Sequence, residues 1–130
     1  MVGNLDSILF VDDDSEIRML LRLSLQTAGF KNLHECETGE EALEMVRAMN
    51  PSLILLDRVL PGMNGDETLQ ALRNDPTTAH VPVIFVSGKK DSGDVTIGNG
   101  VLGVIKKPFN PMSLGAEVKE LWTKAGGLLP

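Results

Sequence analysis

The sequence predicts an α/β fold in which a parallel sheet is covered by helices on both faces. Two observations carry this. Short apolar runs alternate with helix-like patterns five times along the chain, as βα units do in a parallel sheet. Several of the runs, among them "LILL" before Asp57 and "VPVIFVS" at 81–87, are apolar throughout instead of alternating. Such runs mark strands buried on both faces.

The elements follow in order. "SILFVD" (7–12) reads as the first strand, and a helix runs from about Ser15 to Ala28 with Ile17, Leu20, Leu21, Leu25 and Ala28 on one face and Gly29 at its end. "NLHEC" (32–36) is a short second strand. In "TGEEALEMVRAMNP" the Thr38 and Glu41 pair is a capping box, Ala42, Leu43, Val46 and Met49 form the apolar stripe, and Pro51 stops the helix. "LILLD" (53–57) is the third strand, followed by a helix from about Gly65 to Arg73. The fourth and fifth strands are 81–87 and "VLGVIK" (101–106). The last helix is expected to open with Asn110 as N-cap and Pro111 at its first position, and to bury Leu114, Val118, Leu121, Trp122 and Ala125. Where the fourth helix belongs stands "GKKDSGDVTIGNG" (88–100), whose glycines predict a short or irregular helix.

Length and composition bound the function. A chain of 130 residues suits one domain, expected to span 1–130 with its core at about 7–125. No apolar run approaches the ~20 residues of a membrane-spanning helix, and "MVGNLDS" lacks the regions of a secretory signal. The one cysteine, Cys36, has no internal partner and suits a small buried hydrophobe in a reducing, cytoplasmic setting. A net charge of −6 argues against direct nucleic-acid binding.

Polar residues gather at the strand ends. The first strand ends in Asp12, Asp13 and Asp14, the third in Asp57, the fourth in Ser87 and the fifth in Lys106 and Lys107. In a parallel sheet these carboxyl ends share the edge where such folds bind ligands. Converging carboxylates repel unless a cation is present, and magnesium suits them because it keeps waters that a phosphate can displace. Asp57 is then placed as a nucleophile, with Ser87 and Lys107 facing it as partners of a phosphoryl group. Asp14 suits the cap of the first helix better than a metal, and alternation points Lys106 away from the site. His34 and His80 have no partner at metal-ligand spacing and read as surface residues.

In this order and spacing, "VDDD", "LILLDRVLPGMNG", "VIFVSG" and "VIKKPF" resemble the receiver domain of bacterial two-component response regulators, of the chemotaxis-regulator kind. The resemblance implies a flavodoxin-like (βα)5 three-layer sandwich with strand order 2-1-3-4-5. It implies that Asp57 accepts a phosphoryl group from a sensor histidine kinase or a histidine phosphotransfer protein, and that the domain then switches conformation to signal to a downstream protein. Asp13 would bind magnesium directly and Asp12 through water, with Asp57 and the Val59 backbone carbonyl completing the protein ligands. Lys107 would pair with the phosphoryl oxygens, Ser87 would hydrogen-bond them, Gly88 would keep the approach open, and the Lys107–Pro108 bond would be cis. The chain would catalyse only its own phosphorylation and dephosphorylation, without membrane attachment and with at most weak homodimerisation. One position departs from the family, which often has an aromatic residue three places before the lysine, where this chain has Val104.

Two other readings compete. Asp12-x-Asp14 looks like the first motif of haloacid-dehalogenase-type phosphatases, but Ser15-Glu16 follows in place of their Gly-Thr. A pseudo-receiver that only binds proteins would not need Asp13, Asp57, Ser87 and Lys107 together.

Overall fold

Residues on successive positions of each central strand enter two different cores, which is why those strands read as apolar throughout. The computed structural model of the protein describes residues 3–88 and 98–129. Strands β1 (Ile8–Val11), β2 (Leu33–Cys36), β3 (Leu53–Asp57), β4 (Val83–Ser87) and β5 (Val101–Lys106) form one parallel sheet of order β2-β1-β3-β4-β5. Among the described residues the helices are α1 (Ser15–Thr27), α2 (Gly39–Met49), α3 (Gly65–Asn74) and α4 (Leu114–Lys124). On one face, Ile8, Phe10, Leu53, Leu55, Ile84, Val86 and Ile105 pack with Leu21 and Leu25 of α1 and with Leu114, Val118 and Trp122 of α4. On the other, Leu9, Val11, Ile54, Leu56, Val83, Phe85 and Val101 pack with Ala42, Val46 and Leu72 of α2 and α3. Each Val, Leu, Ile or Phe among them contributes about 1.5–3 kcal/mol by leaving water. The expected order 2-1-3-4-5 is the one observed. The expectation of an irregular fourth helix within 88–100 falls, over 89–97, outside the described residues.

Local chemistry sets the helix ends. Asp14 caps α1 by accepting the Glu16 N–H at 2.9 Å, as expected. Thr38 caps α2 by accepting the Glu41 N–H at 3.1 Å, while the Glu41 carboxylate takes the Thr38 hydroxyl. The reciprocal capping box forms at α3 instead, between Asn64 and Glu67. Asn50, in the left-handed region at φ 48°, ends α2 before Pro51.

Three expectations need correction. Leu20 is not on the buried face of α1 but 36% exposed. It sits about a quarter turn from the centre of the stripe, at the 100° step of an α-helix, whereas Ser24 lies about 40° closer to it. Ser24 is buried, and its hydroxyl accepts the Gly115 N–H of α4 at 3.2 Å. The last helix begins at Leu114, not at Asn110 and Pro111. The Asn110 carbonyl accepts the N–H groups of both Ser113 and Leu114, and its side chain accepts that of Met112. The three-residue span to Ser113 tightens these residues into a turn that precedes the α-helix. Ala125, the last residue of the expected stripe, is exposed at the C-cap.

Beyond α4 the chain returns to its own beginning. The Leu5 N–H donates to the Leu128 carbonyl and the Leu128 N–H to that of Gly3, making a parallel bridge between Asn4 and Leu128. The Trp122 indole N–H donates to the same Leu128 carbonyl at 3.0 Å.

Cys36 is buried, and burial first, then the charge of Glu41, pushes its thiol up to about 12. Because the thiolate is the reactive form, native protein at pH 8 is expected to resist iodoacetamide until it unfolds. Alkylation of folded protein at the rate of an unfolded control would show the thiol to be accessible.

Candidate functional site

The register of the sheet brings the polar strand ends to one edge. Val11 pairs with Leu56, Asp57 with Val86 and Ser87 with Lys106, so Asp12, Asp57, Ser87 and Lys107 emerge side by side at the carboxyl ends. Asp12 and Asp57 are buried, only 1% and 5% exposed. Buried carboxylates require partners, and Lys107 supplies them. Its Nζ lies 2.7 Å from Asp12 Oδ2 and 3.0 Å from Asp57 Oδ2. The second oxygens are held by the backbone: the Asp14 N–H donates to Asp12 Oδ1 at 2.9 Å and the Val59 N–H to Asp57 Oδ1 at 3.1 Å. The peptide bond joining Lys107 to Pro108 is cis.

These contacts set the electrostatics. Burial pushes the Asp57 carboxyl up to about 6, assisted by the charge of Asp12 and opposed by the hydrogen bonds from Lys107 and Val59. Burial alone would lower the Lys107 ammonium, but its hydrogen bonds to Asp12 and Asp57 outweigh that and hold it above its ordinary value. Asp13 is exposed, and one oxygen each of Asp12, Asp13 and Asp57 lie within 4.8 Å of one another. Three hard oxygen donors at such range fit a magnesium-like cation.

The remaining expected residues are placed as follows. Ser87 is buried at the end of β4, and its carbonyl accepts the Lys107 N–H at 2.7 Å. Gly88 follows it, half-buried. The Val59 side chain is 59% exposed beside Asp57. Lys106 is exposed. His34 is half-buried and meets Asn32, and His80 is exposed and meets Asn50, both away from the acidic group. Val104 is half-buried against the α2/α3 core.

Sequence reasoning passed over two residues of the site. Gly65 is one: a Cβ there would strike the Asp57 carbonyl and come within 2.6 Å of Arg58 Cα, so only glycine lets α3 begin so close to the Asp57 strand end. Its place in "PGMNG" was the available signal. Arg18 is the other: its Nη1 donates to the Asp12 carbonyl at 2.7 Å. No spacing in the sequence marks that contact.

Comparisons with known proteins agree with this geometry. The family model of the response regulator receiver domain matches residues 8–119. The DNA-binding response regulator MtrA of Mycobacterium tuberculosis is 40% identical over 114 residues, covering 86% of this chain and 48% of that protein. The chain therefore spans about half the length of that relative. The chemotaxis protein CheY of Pseudomonas aeruginosa is 33% identical over 122 residues, covering 92% of this chain and 98% of that protein. A putative response regulator from Chloroflexus aurantiacus superposes with a TM-score of 0.77 at 28% identity, covering 91% of this chain and 98% of that one. Since the match runs through nearly all of the sheet and nearly all of a chemotaxis protein, the chain belongs to the response regulator receiver domain family.

Proposed function

We propose that this chain is a phosphoacceptor whose nucleophile is Asp57, loaded from a phosphohistidine on a sensor histidine kinase or a histidine phosphotransfer protein. One observation carries the reading: Lys107 Nζ bridges the buried Asp12 and Asp57 carboxylates while Asp13 offers a third oxygen within 4.8 Å. A carboxylate oxygen of Asp57 attacks phosphorus, the P–N bond breaks, and its electron pair returns to the imidazole nitrogen. Lys107 offsets the charge added at Asp57, and the Val59 N–H orients the carboxylate before attack. Ser87 and Gly88 border the space the phosphoryl oxygens enter. Asp13, Asp57 and the Val59 carbonyl would hold magnesium directly and Asp12 through water, and the ion would supply neutralisation of those oxygens, which leaves positioning and electrostatics to the protein. The domain, with its core at about 7–125, acts in the cytoplasm. It turns over no substrate beyond its own acyl phosphate and passes the signal to another protein without touching nucleic acid or membrane, self-associating at most weakly. The phosphatase reading is disfavoured because the Asp14 carboxylate is engaged in capping α1.

The experiment is a phosphodonor incubation with and without magnesium, followed by intact mass measurement. One added phosphoryl group that needs magnesium supports the reading; its absence under both conditions refutes it. The metal site is tested separately by melting. Magnesium at ten times its Kd is expected to stabilise the protein by about 1.4 kcal/mol. Asp13→Asn is expected to remove that rise, and to be neutral or stabilising without metal because it relieves like-charge repulsion. An undiminished rise in the variant would take Asp13 out of the site.

A further inference from the structure

Asp12 has every polar group accounted for. Its N–H donates to the Cys36 carbonyl at 3.2 Å, its Oδ1 accepts from Asp14 and its Oδ2 from Lys107. Its carbonyl accepts from Arg18 Nη1 at 2.7 Å. That last bond is made by a side chain from the first turn of α1, only 12% exposed, with its own supports. Arg18 Nε faces Glu35 Oε1 and Nη2 faces Glu37 Oε1, each at 3.3 Å, on β2 and just beyond it. Glu35 is steadied in turn by Arg22 at 2.9 Å, whose guanidinium lies 5.3 Å from the centre of the Phe10 ring.

We propose that Arg18 is a positioning residue for the cation and phosphoryl site, acting through the peptide between Asp12 and Asp13. The inference rests on the phosphoacceptor reading and extends it to a residue outside the acidic group. The Asp12 carbonyl belongs to the peptide plane from which Asp13 departs. Asp13 is the exposed member of the carboxylate trio, and the plane sets the direction in which its side chain leaves the backbone. A guanidinium fork held by two glutamates is a rigid donor, and a charge-assisted bond to a carbonyl is stronger than a neutral one. Removing it frees the plane to rotate and leaves a carbonyl without its donor.

Positioning and charge predict opposite signs, which makes the idea testable. A cation beside the site, taken by itself, repels magnesium, so if Arg18 acted by charge its removal would tighten metal binding. If it positions the peptide, removal weakens binding. Arg18→Met keeps an unbranched apolar stem in place of the arginine's and removes all its donors. Titration calorimetry of the full chain with magnesium is expected to give a Kd about tenfold weaker than wild type, within the range seen when support of a metal ligand is lost. In metal-free protein, amide exchange at Asp14 is expected to quicken, because the Asp12–Asp14 turn loosens. An unchanged or tighter Kd in a variant that still melts cooperatively overturns the proposal, even if its melting temperature falls. Should Arg18→Met fail to fold, Arg18→Lys gives the same readout. Its single ammonium cannot span the carbonyl and both glutamates, so a Kd at least threefold weaker is expected and an unchanged one is fatal. Absence of magnesium binding by the wild-type chain would instead count against the phosphoacceptor reading, whatever the variants do.

Discussion

Asp57→Asn is expected to abolish acquisition of a phosphoryl group from a small-molecule donor while leaving the protein folded. The amide keeps the shape of the carboxylate and an oxygen for the Val59 N–H, which now donates to Asp57 Oδ1 at 3.1 Å, but it lacks the nucleophilic charge. Labelling should fall below detection, and peptide mass mapping of the wild-type protein should place the label on Asp57. A label on Ser87 or Asp14 would refute the assignment.

The same substitution should alter stability in a pH-dependent way. Burial raises the Asp57 carboxyl from 3.8 to about 6 in the folded chain. A raised folded value favours the protonated form, so its stabilising contribution is complete below about pH 4 and is lost as pH rises through about 6. Metal-free wild type is therefore expected to lose stability over that interval, and Asp57→Asn is not. At pH 8 the variant should be more stable by on the order of 1–2 kcal/mol after allowing for solvent screening at the open edge. The gain should vanish near pH 4. Thermal melts in a chelator would show it, and a variant less stable than wild type at pH 8 would show that the Lys107 pairing outweighs the burial of the charge.

Trp122→Ala should have the largest effect on the fold. Trp122 is 1% exposed and heads the largest fully buried side chains, in the core shared by all five strands, α1 and α4. Truncation loses the transfer of the indole from water and leaves a cavity, together about 3–5 kcal/mol. It also removes the donor to the Leu128 carbonyl, 3.0 Å away. Against the ~5–15 kcal/mol that holds a typical domain, the melting temperature should fall by on the order of 10–20 °C. Trp122 is the one tryptophan, so circular dichroism must replace intrinsic fluorescence. A loss under about 1 kcal/mol would mean that the site collapses around the missing ring.

What the sequence discloses follows the range of the interactions involved. Burial of a strand on both faces is written into each run separately, so Ile54, Leu55 and Leu56 disclose a central strand without knowledge of their neighbours. Chain order then places Asp12, Asp57, Ser87 and Lys107 on one edge, because every parallel strand ends on the same side. Cap residues are equally local, and Asp14 and Thr38 were readable for that reason. Ser24 was not, since its burial depends on the Gly115 N–H at 3.2 Å on another helix. The start of α4 was misplaced because Asn110 satisfies the N–H groups after it in a tighter turn than an N-cap makes. Gly65 and Arg18 matter through contacts with the β3 terminus and with Asp12, Glu35 and Glu37. Those contacts exist only once strands have paired, and no local pattern encodes them.

The bridge between Asn4 and Leu128 has a kinetic consequence. It joins the two most distant described stretches of the chain, so closing that loop from an unstructured state carries nearly the largest entropy penalty available to this molecule. The bridge is expected to form after the sheet and α4, which bring Leu128 back toward Leu5. The bridge is accordingly expected to form on the native side of the barrier, outside the folding nucleus. Weakening it, for example by Leu128→Pro, which removes the N–H donated to Gly3, should leave the refolding rate nearly unchanged and accelerate unfolding. Residence time in the native state is thus adjustable at the edge of the sheet opposite Asp57, with the speed of folding set elsewhere.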